Sequence, residues 1–221
     1  MEGTFIRALQ RTHLLQQMLS EITDHALADD SPRARFSAVG ANLAMEHWLA
    51  MTTLMESRRF ASAIALIRLQ YESLLRSVWC LHCAVDDQIE TLSTAMSEQS
   101  QESAKRWPTA TAMLEAIGTL RQTTALHASL CEFKDGSWTA LNSFIHAGLH
   151  PLVRQAEGYP YELLLQTMRI SNGLGLLTAM QKAVLTDRRD LQKIVLTRCE
   201  SFTDCLPPRK EPCPRPPGQS V

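Results

Sequence analysis

At 221 residues the chain is long enough to bury one sizeable core, and 45% hydrophobic against 20% charged residues is the balance of an ordinary globular protein. A formal net charge of −1 excludes a strongly basic electrostatic footprint for nucleic acid and leaves room only for local patches. No uncharged apolar run of about 18 residues predicts a membrane-spanning helix, the segment MEGTFIRALQRTH lacks the apolar stretch of a secretory signal, and six irregularly spaced cysteines fit free thiols. These features predict a cytoplasmic protein without membrane contact.

The apolar spacing then predicts helix almost throughout. Ile6, Leu9, Leu14, Met18, Leu19 and Ile22 recur at helical intervals and mark a first helix from Thr4 to about Ala28. Ser31-Pro32 starts a second, with serine as cap and proline in the first turn, running to about Glu56 with Gly40 as a mild cost. The short link Ser57-Arg58-Arg59 predicts that this helix pairs antiparallel with the next. That third helix, Phe60 to Ala84, is the organising one: Ile64, Ile67, Leu74, Leu75, Val78, Trp79 and Leu81 cover most of its circumference, and Arg68, Glu72 and Arg76 form a single polar line.

Beyond it, Asp86 and Asp87 are cap candidates for a helix through about Met96, and the polar stretch 97–106 reads as an exposed connection or frayed turn. Pro108 restarts a helix over about Thr109 to Leu120 with Met113, Leu114 and Ile117 inward. Residues 121–135 fit helix or loop. Asp135-Gly136-Ser137 reads as punctuation, with Ser137 capping a short helix, WTALNSFIHAG, that ends at Gly148. A helical turn from Pro151 to Gln155, a break at Gly158-Tyr159-Pro160, a long helix from Tyr161 to about Leu185 and an amphipathic helix from Asp187 to about Asp204 follow. No strand pattern and no repeat occurs. The organisation expected is a single all-α bundle over 1–205 and a disordered proline-rich C-terminal tail over 206–221.

Candidate chemistry lies in two places. On the Trp138 to His146 segment, Asn142 and His146 are four apart and share a face. A histidine exchanges protons near neutral pH, an amide one turn away orients a phosphate or hydroxyl, and a guanidinium grips phosphate oxygens in a bidentate fork. Arg68 and Arg76 are the candidate suppliers, with Glu72 between them to hold their side chains. The same residues also make a structural hydrogen-bonded network in a helix bundle, and both readings stand. Cys80, His82 and Cys83 lack a second pair at zinc-site spacing and read as core residues, so no metal site and no cofactor is expected.

The blocks AMEHWLAMTTLM, SAIALIRLQYESLLRSVWCLHCA and WTALNSFIHAG resemble a family of uncharacterised bacterial all-helical proteins that pair an Arg-x3-Glu-x3-Arg helix with a later Leu-Asn/Ser-x3-His helix. That arrangement in turn resembles the HEPN superfamily. The resemblance implies an HEPN-like bundle, a homodimer, and metal-independent RNA cleavage or RNA or nucleotide binding in a phage-defence or toxin-antitoxin setting with a cognate antitoxin. His146 matches the superfamily histidine and Asn142 the polar residue following the motif's arginine. The arginine is missing, since Thr139, Ala140 and Leu141 occupy its positions. Either Arg68 or Arg76 replaces it, or the chain is a catalytically inactive helical module acting through protein contacts.

Overall fold

The structure, a computed structural model, describes residues 1–208 and contains, among them, ten α-helices, two short 3-10 turns and no strand. The helices are α1 Glu2–Thr23, α2 Pro32–Glu56, α3 Phe60–His82, α4 Asp86–Ser93, α5 Glu98–Ala104, α6 Ala110–Gly118, α7 Thr124–Ile145, α8 Leu149–Glu157, α9 Tyr161–Leu185 and α10 Arg189–Cys199. The expected proline-rich tail lies, from residue 209 onward, outside the described residues.

α2 and α3 fold back on each other as expected. Arg58 takes the turn with φ +56, and three cross-links fix the antiparallel register. Gly40 faces the Ser77 backbone, the Ser77 hydroxyl donates to the Ser37 carbonyl at 2.7 Å, and Arg33 donates to the carbonyls of Cys80 and Ala84 at 2.9 and 2.7 Å. A Cβ on Gly40 would lie 3.1 Å from Ser77, so the glycine that costs helix propensity lets the backbones approach. Arg33 also bonds Asp86 at 2.9 Å, so one guanidinium closes the carbonyl end of α3 and ties down the start of α4.

α3 is the central element, packed against α2, α6, α7 and α9. Ile64, Ile67, Leu74, Leu75, Val78 and Trp79 are all buried, as the sequence predicts. α9 spans the expected residues and threads between α1, α2 and α3. At Gly175 a Cβ would meet the Trp48 indole at 2.6 Å, so this glycine is the recess that admits the ring.

Several boundaries differ from expectation, α8 and α10 among them, which span Leu149–Glu157 and Arg189–Cys199. α1 ends at Thr23, whose hydroxyl turns back to the Leu19 carbonyl at 2.8 Å, and the link beyond is pinned to the end of α9 by Ala28 N–H donating to Leu185 O at 3.0 Å. The phase of α1 differs too: Ile6 and Leu14 face outward, while Phe5, Leu9, Thr12, Leu15, Gln16 and Leu19 are buried. Within 97–106, Glu98–Ala104 form the short helix α5, capped by the Ser97 hydroxyl accepting from Ser100 N–H, and none of its side chains is buried, in keeping with the exposed stretch expected there. Asp86 and Asp87 sit in the first turn of α4 rather than at its cap, where Gln88 instead accepts from Val85 N–H.

The largest correction concerns α7. Asp135-Gly136-Ser137 does not interrupt it, and Ser137 caps nothing. Leu130, Phe133, Trp138 and Leu141 make one stripe across the expected break, and all four belong to or pack on the core. Burial of that stripe outweighs the penalty of about 1 kcal/mol for an interior glycine.

A candidate site at the α3–α7 contact and the α7–α8 corner

Packing of α7 on α3 is anchored by aromatic rings. Tyr71 stacks on Phe133 with centroids 4.6 Å apart and meets Trp138 edge-on at 5.8 Å. The Tyr71 hydroxyl donates to the Leu130 carbonyl at 3.3 Å, and burial raises its pKa, so it stays a neutral phenol. The same docking brings Trp138 beneath Arg68, whose guanidinium carbon lies 4.5 Å from the ring centroid.

Arg68 is the centre of the cluster. Its Nε donates to Glu72 at 3.0 Å and its Nη1 to the Asn142 side-chain oxygen, while Nη2 makes no hydrogen bond among the described residues. Trp138 and Asn142 are four residues apart on α7, so one arginine on α3 meets both. The sequence expectation that Arg68, Glu72 and Asn142 come together is met in position.

Arg76 goes elsewhere. It stands two turns along α3, ~12 Å of helix axis away, with its guanidinium carbon 5.2 Å from the Trp107 ring and its Nη1 buried without a hydrogen-bond partner. Trp107 also packs on Trp79 at 6.4 Å. Arg76 therefore clamps the α5–α6 connection onto α3. Glu72 holds Arg68 and makes no ion pair with Arg76 among the described residues.

His146 is not inside a helix but at the C-terminal cap of α7, where its N–H donates to the Asn142 carbonyl at 3.1 Å. The chain turns at Ala147 with φ +49. The imidazole is exposed and makes no hydrogen bond or ion pair among the described residues. The start of α8 follows, tied by the Ser143 hydroxyl accepting from His150 N–H at 3.0 Å. Phe144 and His150 rings lie 6.4 Å apart.

From this corner α8 runs back toward the start of α3. Its far end contributes Gln155 to a cavity of about 160 Å³, shared with Tyr159, Arg58, Arg59 and the first turn of α3. That turn carries no acidic residue and no side-chain cap, so its N–H groups and the helix dipole favour an anion. The Tyr159 hydroxyl is shut from solvent and without a partner. His150 and Arg154 stand one turn apart on one face of α8, and Arg59 lines the cavity at its far end, with Arg58 beside it paired to Glu2 at 2.6 Å. Sequence reasoning missed Arg59 and Tyr159, which nothing short of the α3–α8 contact brings together.

Other chemically conspicuous side chains are held in the packing. Trp48 is fully buried and its indole N–H donates to Asn172 at 2.9 Å; His47 beside it is half-buried, with its pKa lowered by burial. Burial pushes the Cys80 thiol up to about 11, and no three His, Cys, Asp or Glu among the described residues converge to hold a metal ion. Among the described residues no helix is long and apolar enough to cross a membrane.

Fold and site define an all-helical protein with a polar α3–α7 clip beside an exposed histidine corner. The chain belongs to a family of unknown function, DUF6988, whose family model covers residues 41–208. No characterised protein and no solved structure matches it.

Proposed function

We propose that this chain is an HEPN-like RNA- or nucleotide-binding protein of a bacterial defence or toxin-antitoxin kind, acting in the cytoplasm as a homodimer held in check by a cognate antitoxin, and that it cleaves RNA without a metal. The observation that carries this reading is the exposed His146, without a partner among the described residues, one turn beyond the Asn142 that holds Arg68, with His150 and Arg154 following on α8. Phosphates of a single strand would be drawn to these basic side chains, since backbone electrostatics supply most of the affinity for RNA.

In the reaction a ribose 2′-hydroxyl attacks the adjacent phosphorus, its proton passes to the His146 imidazole, and the P–O5′ bond breaks as the leaving 5′-oxygen takes that proton from the imidazolium. The products are a 2′,3′-cyclic phosphate and a 5′-hydroxyl end. Arg68, through its uncommitted Nη2, would meet the phosphate oxygens, with Glu72 and Asn142 holding its fork. Arg76, turned to Trp107, is assigned to packing.

The second reading is a catalytically inactive module acting through protein contacts. It is favoured by the commitment of two of the Arg68 nitrogens to protein acceptors and by Leu149 and Leu152 on α8, which are 73% and 64% exposed. Incubating wild type and His146→Ala with a mixed-sequence RNA in EDTA separates the two. Cleavage lost in the variant, with its urea midpoint unchanged, supports the enzyme. Absence of both cleavage and RNA retention by wild type refutes RNA as the ligand and leaves the protein-contact reading.

A further inference from the structure

A second cavity, of about 230 Å³, opens between α1, α9 and the segment that follows α10. Three arginines reach it, Arg7 and Arg11 from successive turns of α1 and Arg169 from α9, against one carboxylate, Asp204. In a chain of net charge −1 this is a local excess of positive charge.

The three cations are not equivalent. Arg11 is committed: its Nε donates to Asp204 at 2.9 Å, its Nη2 to the Ser201 carbonyl, and its guanidinium lies 4.4 Å above the Phe202 ring. It fixes the C-terminal segment on α1. Arg7 and Arg169 are exposed and form no ion pair among the described residues, so two guanidinium forks from different helices border the same cavity. The floor is closed: Asn172 donates to Thr12 and to the Cys205 carbonyl and accepts from Trp48, which uses all its hydrogen-bonding atoms. Leu165 and Met168 make an apolar wall. The α3 and α7 residues of the proposed RNA site take no part.

We propose that this groove binds a phosphate monoester of a sugar, with the phosphate between Arg7 and Arg169, the carbon face of the sugar against Leu165 and Met168, and its hydroxyls donating to the exposed Asp204 carboxylate. A planar fork on each side suits a terminal phosphate, whose oxygens point in several directions. The rim carboxylate selects a small ligand over a continuous polyanion, which would bring further phosphates against Asp204. The cavity volume likewise suits a compact molecule.

The test is calorimetric titration of the full chain at low salt with ribose 5-phosphate, inorganic phosphate and a ten-nucleotide RNA in parallel arms. Ribose 5-phosphate is expected to bind, and at least tenfold more tightly than inorganic phosphate. Arg7→Gln/Arg169→Gln, checked by its urea midpoint, is expected to weaken it at least tenfold, while Arg68→Gln leaves it unchanged, which separates this groove from the RNA site. Three results would each overturn the proposal: no heat with ribose 5-phosphate at millimolar concentration, binding within twofold of wild type in the double variant, or RNA binding more tightly than ribose 5-phosphate through the same two arginines.

Discussion

Replacing Asn172 by alanine should be among the most damaging single changes in this protein. The side chain is wholly buried and joins four parts of the chain: it accepts from Trp48 on α2 at 2.9 Å, and donates to Thr12 on α1 at 2.9 Å and to the Cys205 carbonyl at 2.8 Å. Alanine leaves the Trp48 N–H and the Cys205 carbonyl buried without partners, each at a cost of roughly 1–3 kcal/mol, while the Thr12 hydroxyl is left without the amide it accepts. A small void adds to this. The expected loss is about 3 kcal/mol, or roughly 6–12 °C in Tm for a domain of this size. Urea unfolding followed by tryptophan fluorescence measures it, with circular dichroism confirming that helix content is retained at zero denaturant. A loss below about 1 kcal/mol would show that water or a rotated neighbour replaces those bonds, and the reasoning from buried satisfaction would be wrong at this site.

Other expectations test particular packing arguments. Gly175→Ala places a methyl 2.6 Å from the Trp48 ring and should cost more than about 2 kcal/mol, whereas Gly136→Ala, in open space within α7, should raise stability by about 0.5–1 kcal/mol if that helix is continuous; equilibrium unfolding of the two variants decides both. A double-mutant cycle on Arg68→Ala and Asn142→Ala should yield a coupling of roughly 1 kcal/mol, and additivity would deny that the pair clips α7 to α3. His47 and His82 both have pKa values lowered by burial from an ordinary value of 6.5. The folded protein disfavours their charged forms, so their effect on stability is absent above that value. It becomes a growing penalty as pH falls below 6.5 and levels off once pH passes below their folded values. The urea midpoint should fall between pH 7.5 and pH 5.5, and His47→Gln/His82→Gln should flatten that decline; an unchanged slope counts against the burial of these rings.

Much of the architecture was legible because long helices write their period into the sequence. Ser31-Pro32 starts α2 and Ser57-Arg58-Arg59 turns it back, each through local backbone preferences, and the apolar circumference of α3 marks it as central. The triad Arg68, Glu72 and Asn142 could be anticipated from spacings of four on each helix. Its aromatic platform was not anticipated: Trp138 precedes Asn142 by one turn, but only the docking of α7 on α3 sets the ring against Arg68.

Tertiary packing decided the rest. α1 turned out rotated from its expected face because Thr12 and Gln16 enter the core as hydrogen-bonding residues, Gln16 bonding Thr52 at 2.8 Å, so the apolar pattern alone misreads which side is buried. Gly136 looked like a break, because an interior glycine weakens a helix in isolation; the rings of Tyr71, Phe133 and Trp138 hold α7 together across it. Arg68 and Arg76 occupy equivalent places on one polar line, yet one meets Asn142 and the other Trp107, since their partners come from segments that only the completed fold sets beside α3. Local sequence determines which residues a helix presents on each face; what those faces meet depends on chain segments tens of residues away, and no spacing within one helix records it.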